Sequence, residues 1–199
     1  MIKNKIKILK EKFKKFEIDG YIVPKNDEYF SEYAKNDRLK NISNFSGSAG
    51  LAVILKKKNY LFVDGRYTIQ AQQESGTNFN IIEIHKKLPH TIIKNYNLGY
   101  DSRLFTSSKL KNYFSNNNLI SINDNLIDQI FKFKEKKTKP FYSLDKNITG
   151  ETHKLKILKI TNFLKLNNAD YLFISAPENV AWLLNIRGYD NPNSPIPNA

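Results

Sequence analysis

The chain has 199 residues, a net charge of +13, 40% hydrophobic and 13% aromatic content, and no cysteine. That hydrophobic content is globular and not disordered, and the missing cysteine excludes a disulfide framework or a thiolate metal site. No apolar run approaches the roughly 20 residues needed to span a bilayer, and the N-terminal apolar residues are interleaved with lysine, so the cytoplasm is the expected compartment. The length allows one or two domains.

Residues 2–17 are expected to form an amphipathic helix, with Ile2, Ile6, Leu9, Phe13 and Phe16 on one face and lysines on the others. Asp19-Gly20 ends it, and Tyr21-Ile22-Val23 reads as a buried strand closed by Pro24. Residues 25–40 are polar, and Asn26 or Asp27 is placed to cap a short helix carrying Tyr29, Phe30 and Tyr33. Asp27, Glu28 and Glu32 form a carboxylate cluster without histidine, which suits helix-start chemistry better than a metal. Leu51–Leu55 and Tyr60–Val63 are apolar runs of strand length joined by a lysine-rich turn, the pattern of a hairpin. Asp64-Gly65 then presents Arg66 and Tyr67 at the rim of a sheet, where loop charges are more often functional than those on helix faces.

A helix is expected over Thr68–Glu74, a strand over Phe79–Ile84, a strand over Asn97–Tyr100, a helix over Ser107–Phe114 capped by Thr106, a strand over Leu119–Ile122 and a helix over Asn125–Phe133. His85 and His90 read as loop residues. The charge run Lys132–Pro140 marks a linker. The domains are therefore set at 1–136 and 147–199, with the linker at 137–146. Beyond it Lys156-Ile157-Leu158-Lys159 and Tyr171–Ile174 echo Lys7-Ile8-Leu9-Lys10 and Tyr21–Val23, a second copy of the helix–strand–helix opening. The fold class expected is α/β, a mixed sheet flanked by helices, followed by a truncated second copy of a similar fold. Its expected strand leaves an edge unpaired and an apolar face uncovered.

Phe45-Ser46-Gly47-Ser48-Ala49-Gly50 followed by Phe62-Val63-Asp64-Gly65-Arg66-Tyr67 resembles the N-terminal domain of the Xaa-Pro aminopeptidases (aminopeptidase P) of the creatinase/prolidase group. Ser31-Glu32-Tyr33 and Gly99-Tyr100-Asp101 fit it, and Glu178–Gly188 is very similar to the second domain of its three-domain members. The resemblance covers essentially the whole chain. It implies a substrate contact for Arg66, which matches the family's arginine that reaches the peptide, with Asp64 and Tyr67 in support. Asp64 either caps the turn or fixes Arg66, and the alternative is a purely structural strand-end pair. Trp182 and Arg187 fit packing and domain contact better than ligand binding.

The resemblance further implies removal of an N-terminal residue preceding proline by a two-metal site, usually manganese, held by two Asp, one His and two Glu. Those ligands lie in a further domain that this sequence lacks, so neither catalytic nor metal-binding residues are expected here. Implied partners are a peptide with proline second and a second copy of the chain. The rival readings are a stand-alone, non-catalytic binding or regulatory module and, less favoured, a basic nucleic-acid-binding protein. Nearly all the positive charge is lysine spread along the chain, with four arginines (Arg38, Arg66, Arg103, Arg187). Nucleic-acid readout favours arginine, so neither a specific nucleic acid nor a membrane is expected as a partner.

Overall fold

The structure, a computed structural model, describes residues 2–31, 34, 36–131, 133, 139–189 and 194–197. The chain divides into two compact units, Met1–Lys134 and Glu135–Ala199.

The first unit opens with α1 (Ile2–Glu11), which buries Ile2, Ile6 and Leu9. The helix stops earlier than its apolar period suggests. Lys12, Phe13 and Lys15 donate to carbonyls three residues back, and Glu17 takes a left-handed φ of 52°, so the chain tightens into turns that still bury Phe13. β1 (Gly20–Pro24) follows and is buried throughout.

Asn26 and Asp27 do not start a helix. Asp27 instead accepts from the N–H groups of Tyr29 (3.1 Å) and Ser31 (3.0 Å), closing a turn that leaves Phe30 at φ 57°. Of Ser31-Glu32-Tyr33 only Ser31 lies among the described residues. Asp37 caps α2 (Arg38–Ser43) instead, through the Lys40 N–H at 2.9 Å, and Leu39 and Ile42 fill the core beneath it.

The hairpin is β2 (Gly50–Leu55) and β3 (Asn59–Val63), antiparallel, with Gly50 opposite Val63 and Ile54 opposite Asn59. A 3-10 turn at Gly65–Tyr67 leads into α3 (Thr68–Ser75), and β4 (Asn80–Glu83) follows. His90, expected in a loop, lies in the short α4 (Pro89–Ile92) and donates to the Asn112 carbonyl oxygen at 2.9 Å. After β5 (Asn97–Tyr100) and a 3-10 turn at Ser102–Leu104 come α5 (Ser107–Phe114), capped by Thr106, and β6 (Asn118–Ser121).

Of the expected helix at Asn125–Phe133, residues 126–130 form turns instead, and Lys132 lies outside the described residues. The Asn125 side chain accepts from Ile127 N–H and donates to Asp101, and Leu126 N–H donates to the Tyr21 hydroxyl, so side-chain oxygens take up the first N–H groups of the segment.

The sheet runs in the order β4-β3-β2-β1-β5-β6. β2 is antiparallel to both neighbours, while the β1–β5, β5–β6 and β3–β4 pairs are parallel. Five strands therefore share one direction. One sheet face packs with α1, α2 and Ala71 of α3; the other packs with Ile93 beside α4 and with Phe114 of α5. This is the expected α/β fold with a mixed sheet.

In the second unit β7 (Phe141–Ser143), inside the segment expected as linker, pairs antiparallel with β8 (Ile186–Gly188). Between them lie α6 (Lys146–Thr149), α7 (His153–Leu166) and α8 (Pro177–Leu184). Lys156 of α7 is buried, with its ammonium 4.2 Å from the Trp182 ring centroid. The expected strand Tyr171–Ile174 is not a strand: among the described residues it has no ladder partner, and Tyr171 and Phe173 are 91% and 89% exposed.

Candidate functional site

Because five strands run the same way, their carboxyl ends meet at one rim, together with the amino end of β2. Ligands of open α/β sheets bind in crevices at that kind of edge. A cleft of about 370 Å³ lies there, lined among others by Lys25, Phe30, Ser48, Arg66, His85 and Lys109.

The turn after β3 is organised by Asp64. Its Oδ1 accepts from the Arg66 backbone N–H at 3.0 Å and from Arg66 Nε at 2.8 Å. Asp64 thus both caps the turn and holds the arginine. His85 Nε2 lies 3.5 Å from Asp64 Oδ2. Bonds from the Arg66 side chain and then its backbone, with a smaller contribution from His85, lower the Asp64 carboxyl to about 2. The Arg66 side chain is 73% exposed at the cleft, and its guanidinium carbon stands 5.4 Å from the Tyr67 ring centroid. Tyr67 faces the other motif: its hydroxyl meets Ser48 Oγ at 2.8 Å and its ring packs edge-on against Phe45 at 5.9 Å. The loop carrying Gly47 is also anchored by Glu74, which accepts from Ser46 N–H and Ser46 Oγ, both at 2.7 Å. The two stretches 45–50 and 62–67 are therefore one packed unit at the rim.

A second Asp-x-Arg turn stands at the end of β5. Asp101 accepts from Arg103 N–H, Nε and Nη2 at 3.1, 3.0 and 2.7 Å, and from Asn125 at 3.0 Å. Burial pushes this carboxyl up, but Arg103 and Asn125 outweigh it and hold it below its ordinary value.

Some lining residues escaped the sequence reading. Lys25, ion-paired with Asp37 at 2.5 Å, follows β1, and Lys109 and Tyr113 come from α5. The signal that finds them is topological: the segments following parallel strands emerge at one rim. Trp182 and Arg187 lie in the second unit, where the guanidinium of Arg187 donates to the Ile186 carbonyl at 2.8 Å. Among the described residues no three His, Cys, Asp or Glu side chains converge so as to hold a metal ion. Asp27 caps its turn and Glu28 pairs with Arg38 at 2.7 Å. The two-metal chemistry implied by the resemblance thus finds no fitting ligand set on these residues. No helix of the described residues is long and apolar enough to cross a membrane.

Two family models, each described as creatinase/prolidase N-terminal domain, match residues 5–130 and 132–199. The chain is 31% identical to a probable Xaa-Pro aminopeptidase P of Laccaria bicolor, over 94% of this chain and 32% of that one. It is 33% identical to Xaa-Pro aminopeptidase 1 of Dictyostelium discoideum, over 98% and 35%. The solved X-prolyl aminopeptidase of Caenorhabditis elegans, described as a cytosolic enzyme with a di-nuclear active site, superposes with a TM-score of 0.84 at 26% identity, over 98% of this chain and 36% of that one. The chain spans about a third of the length of these relatives. With the first model covering well over half the residues and both rim motifs packed together, the chain belongs to the creatinase/prolidase N-terminal domain family, in the form found in Xaa-Pro aminopeptidases.

Proposed function

We propose that this chain is the non-catalytic N-terminal part of an Xaa-Pro aminopeptidase, in which Arg66 contacts the peptide substrate. The observation that carries the reading is the Asp64–Arg66 turn: a guanidinium held at Nε by a carboxylate, exposed in a cleft at the carboxyl rim. A planar guanidinium suits a peptide carbonyl or carboxylate. Fixing it beforehand lowers the ordering cost of binding. Tyr67 supports the turn through Ser48 and Phe45.

The hydrolytic site, with its two metal ions and manganese as the metal, lies outside these 199 residues in this reading. The domain limits 1–136 and 147–199, a cytoplasmic setting and a homodimeric assembly belong to the same reading; sedimentation of the full chain tests the last. The peptide contact is tested by titrating the isotope-labelled chain with Ala-Pro-Ala and following backbone shifts. The expected result is perturbation concentrated at residues 64–67 and at least a tenfold weaker Kd in Arg66→Gln. Unperturbed rim resonances, or an Arg66→Gln chain that binds equally well, overturn the reading.

A further inference from the structure

We propose that Lys109 makes this cleft a carboxylate-binding subsite, selecting peptides that bring an anionic group alongside the part met by Arg66; the inference rests on the reading of Arg66 just given. Lys109 stands in the first turn of α5, three residues after the Thr106 cap, and its own N–H closes that cap at 3.2 Å. Helical side chains lean back toward the N-terminus, and Lys109 lines the cleft together with Arg66 and Lys25. A cation in a first turn opposes the helix dipole, so helix stability gives no reason for a lysine here.

Its surroundings do not supply a counter-charge either. Among the described residues Lys109 has no carboxylate within 4.0 Å, whereas Lys25 of the same cleft is paired with Asp37 and Arg66 with Asp64. Its ammonium stands 5.9 Å from the centroid of the Phe105 ring. The group is half-buried, and desolvation lowers its pKa with no charge to oppose it. A partly desolvated cation without a partner is unfavourable, and an entering carboxylate removes that penalty while gaining a charge-assisted bond. Among the described residues the other ionisable side chains lining the cleft are Asp64, already engaged by Arg66, the exposed His85 and Tyr113. The ligand chemistry is a carboxylate, from either a free C-terminus or an acidic side chain.

The full chain is titrated with Ala-Pro-Ala as free acid and as amide, and with Ala-Pro-Glu-amide and Ala-Pro-Gln-amide. The free acid is expected to bind the native chain about fivefold to tenfold more tightly than its amide if the C-terminus is the source, and Glu more tightly than Gln by a similar factor if the side chain is. In Lys109→Gln the preferred ratio collapses to about one, and Lys109→Arg restores it; a misfolded variant would lose binding of all four peptides instead, and the Lys109→Arg series then decides. Equal affinities within both pairs on the native chain overturn the Lys109 subsite and leave the Arg66 contact standing. An unchanged ratio in Lys109→Gln does the same. No binding of any peptide overturns both.

Discussion

Arg38 and Asp128, ninety residues apart, face each other through two hydrogen bonds of 2.7 Å, from Nε to Oδ1 and from Nη2 to Oδ2. The same Nη2 reaches Glu28 at 2.7 Å, while the buried Nη1 has no partner among the described residues. Arg38 is 3% exposed, but about a third of each acidic side chain is in solvent. Arg38→Met should therefore destabilise by about 2 kcal/mol, less than the 3–5 typical of breaking a fully buried pair. Adding Asp128→Asn should recover part of that loss, because the stranded charge goes. Urea unfolding followed by far-UV circular dichroism measures both; a double variant no better than the single one contradicts the pairing.

Asp64 provides a pH signature. Its carboxyl titrates at about 2, below the ordinary 3.8, because the Arg66 side chain and backbone bind its ionised form. A depressed acid contributes its stabilisation in full above the unfolded value and loses it as pH falls through the folded one. The turn is thus insensitive to pH above about 4 and loosens near 2. Carboxyl carbon shifts should report this midpoint, and Arg66→Gln should move it up toward 3.8. A native midpoint already near 3.8 would mean that the turn is not held this way in solution.

Two glycines of the rim should respond unequally to alanine. At Gly47 a Cβ would lie 2.3 Å from Phe45 Cζ and 3.0 Å from Tyr67 Cδ1, and Phe45 is fully buried. Gly47→Ala is expected to cost about 1–3 kcal/mol, or roughly 2–12 °C in Tm at this chain length. At Gly65 the nearest atom is Glu83 Oε1 at 3.1 Å, the end of a flexible side chain, so Gly65→Ala stays within about 0.5 kcal/mol. Equal Tm shifts for the two would refute the contrast.

In the second unit Asn185 holds a left-handed backbone, φ 55°, while its side chain accepts from Lys156 Nζ at 2.7 Å and donates to the Glu151 carbonyl at 2.8 Å. Asn185→Gly keeps the backbone at ease and loses the bonds; Asn185→Ala loses both. The alanine variant should be less stable than the glycine variant by about 1 kcal/mol. Trp182 is the chain's single tryptophan, so its fluorescence during urea unfolding reads this unit selectively.

The hairpin of the first unit is legible in the sequence because its runs are long, apolar and separated by lysines, and the start of α5 because Thr106 caps it. The same logic fails where side chains outside the local pattern decide. α2 hides in a polar stretch because only Leu39 and Ile42 mark its face. The 125–131 segment has a helical apolar period, yet Asn125, Asp101 and Tyr21 take up its first polar groups. Tyr171–Ile174 has strand composition, but composition cannot supply a partner strand. Of the rim, Asp64, Arg66 and Tyr67 were readable as a turn; Lys25 and Lys109 were not, since their approach depends on which strands lie side by side.

The central position of β1 has a kinetic consequence. β2, β3 and β4 form one block of strands close in sequence, and β5 and β6 another. β1 joins them, and Asp19 and Asn97, paired by two hydrogen bonds at its amino end, lie 78 residues apart. Closing that loop is entropically the dearest step in assembling the sheet. Gly20, where a Cβ would meet Leu55 at 2.5 Å and Leu98 at 3.1 Å, sits where the two blocks dock. Crowding this glycine-sized seam, as in Gly20→Ala, is therefore expected to slow folding more than it hastens unfolding, and stopped-flow kinetics in urea measures the two rates.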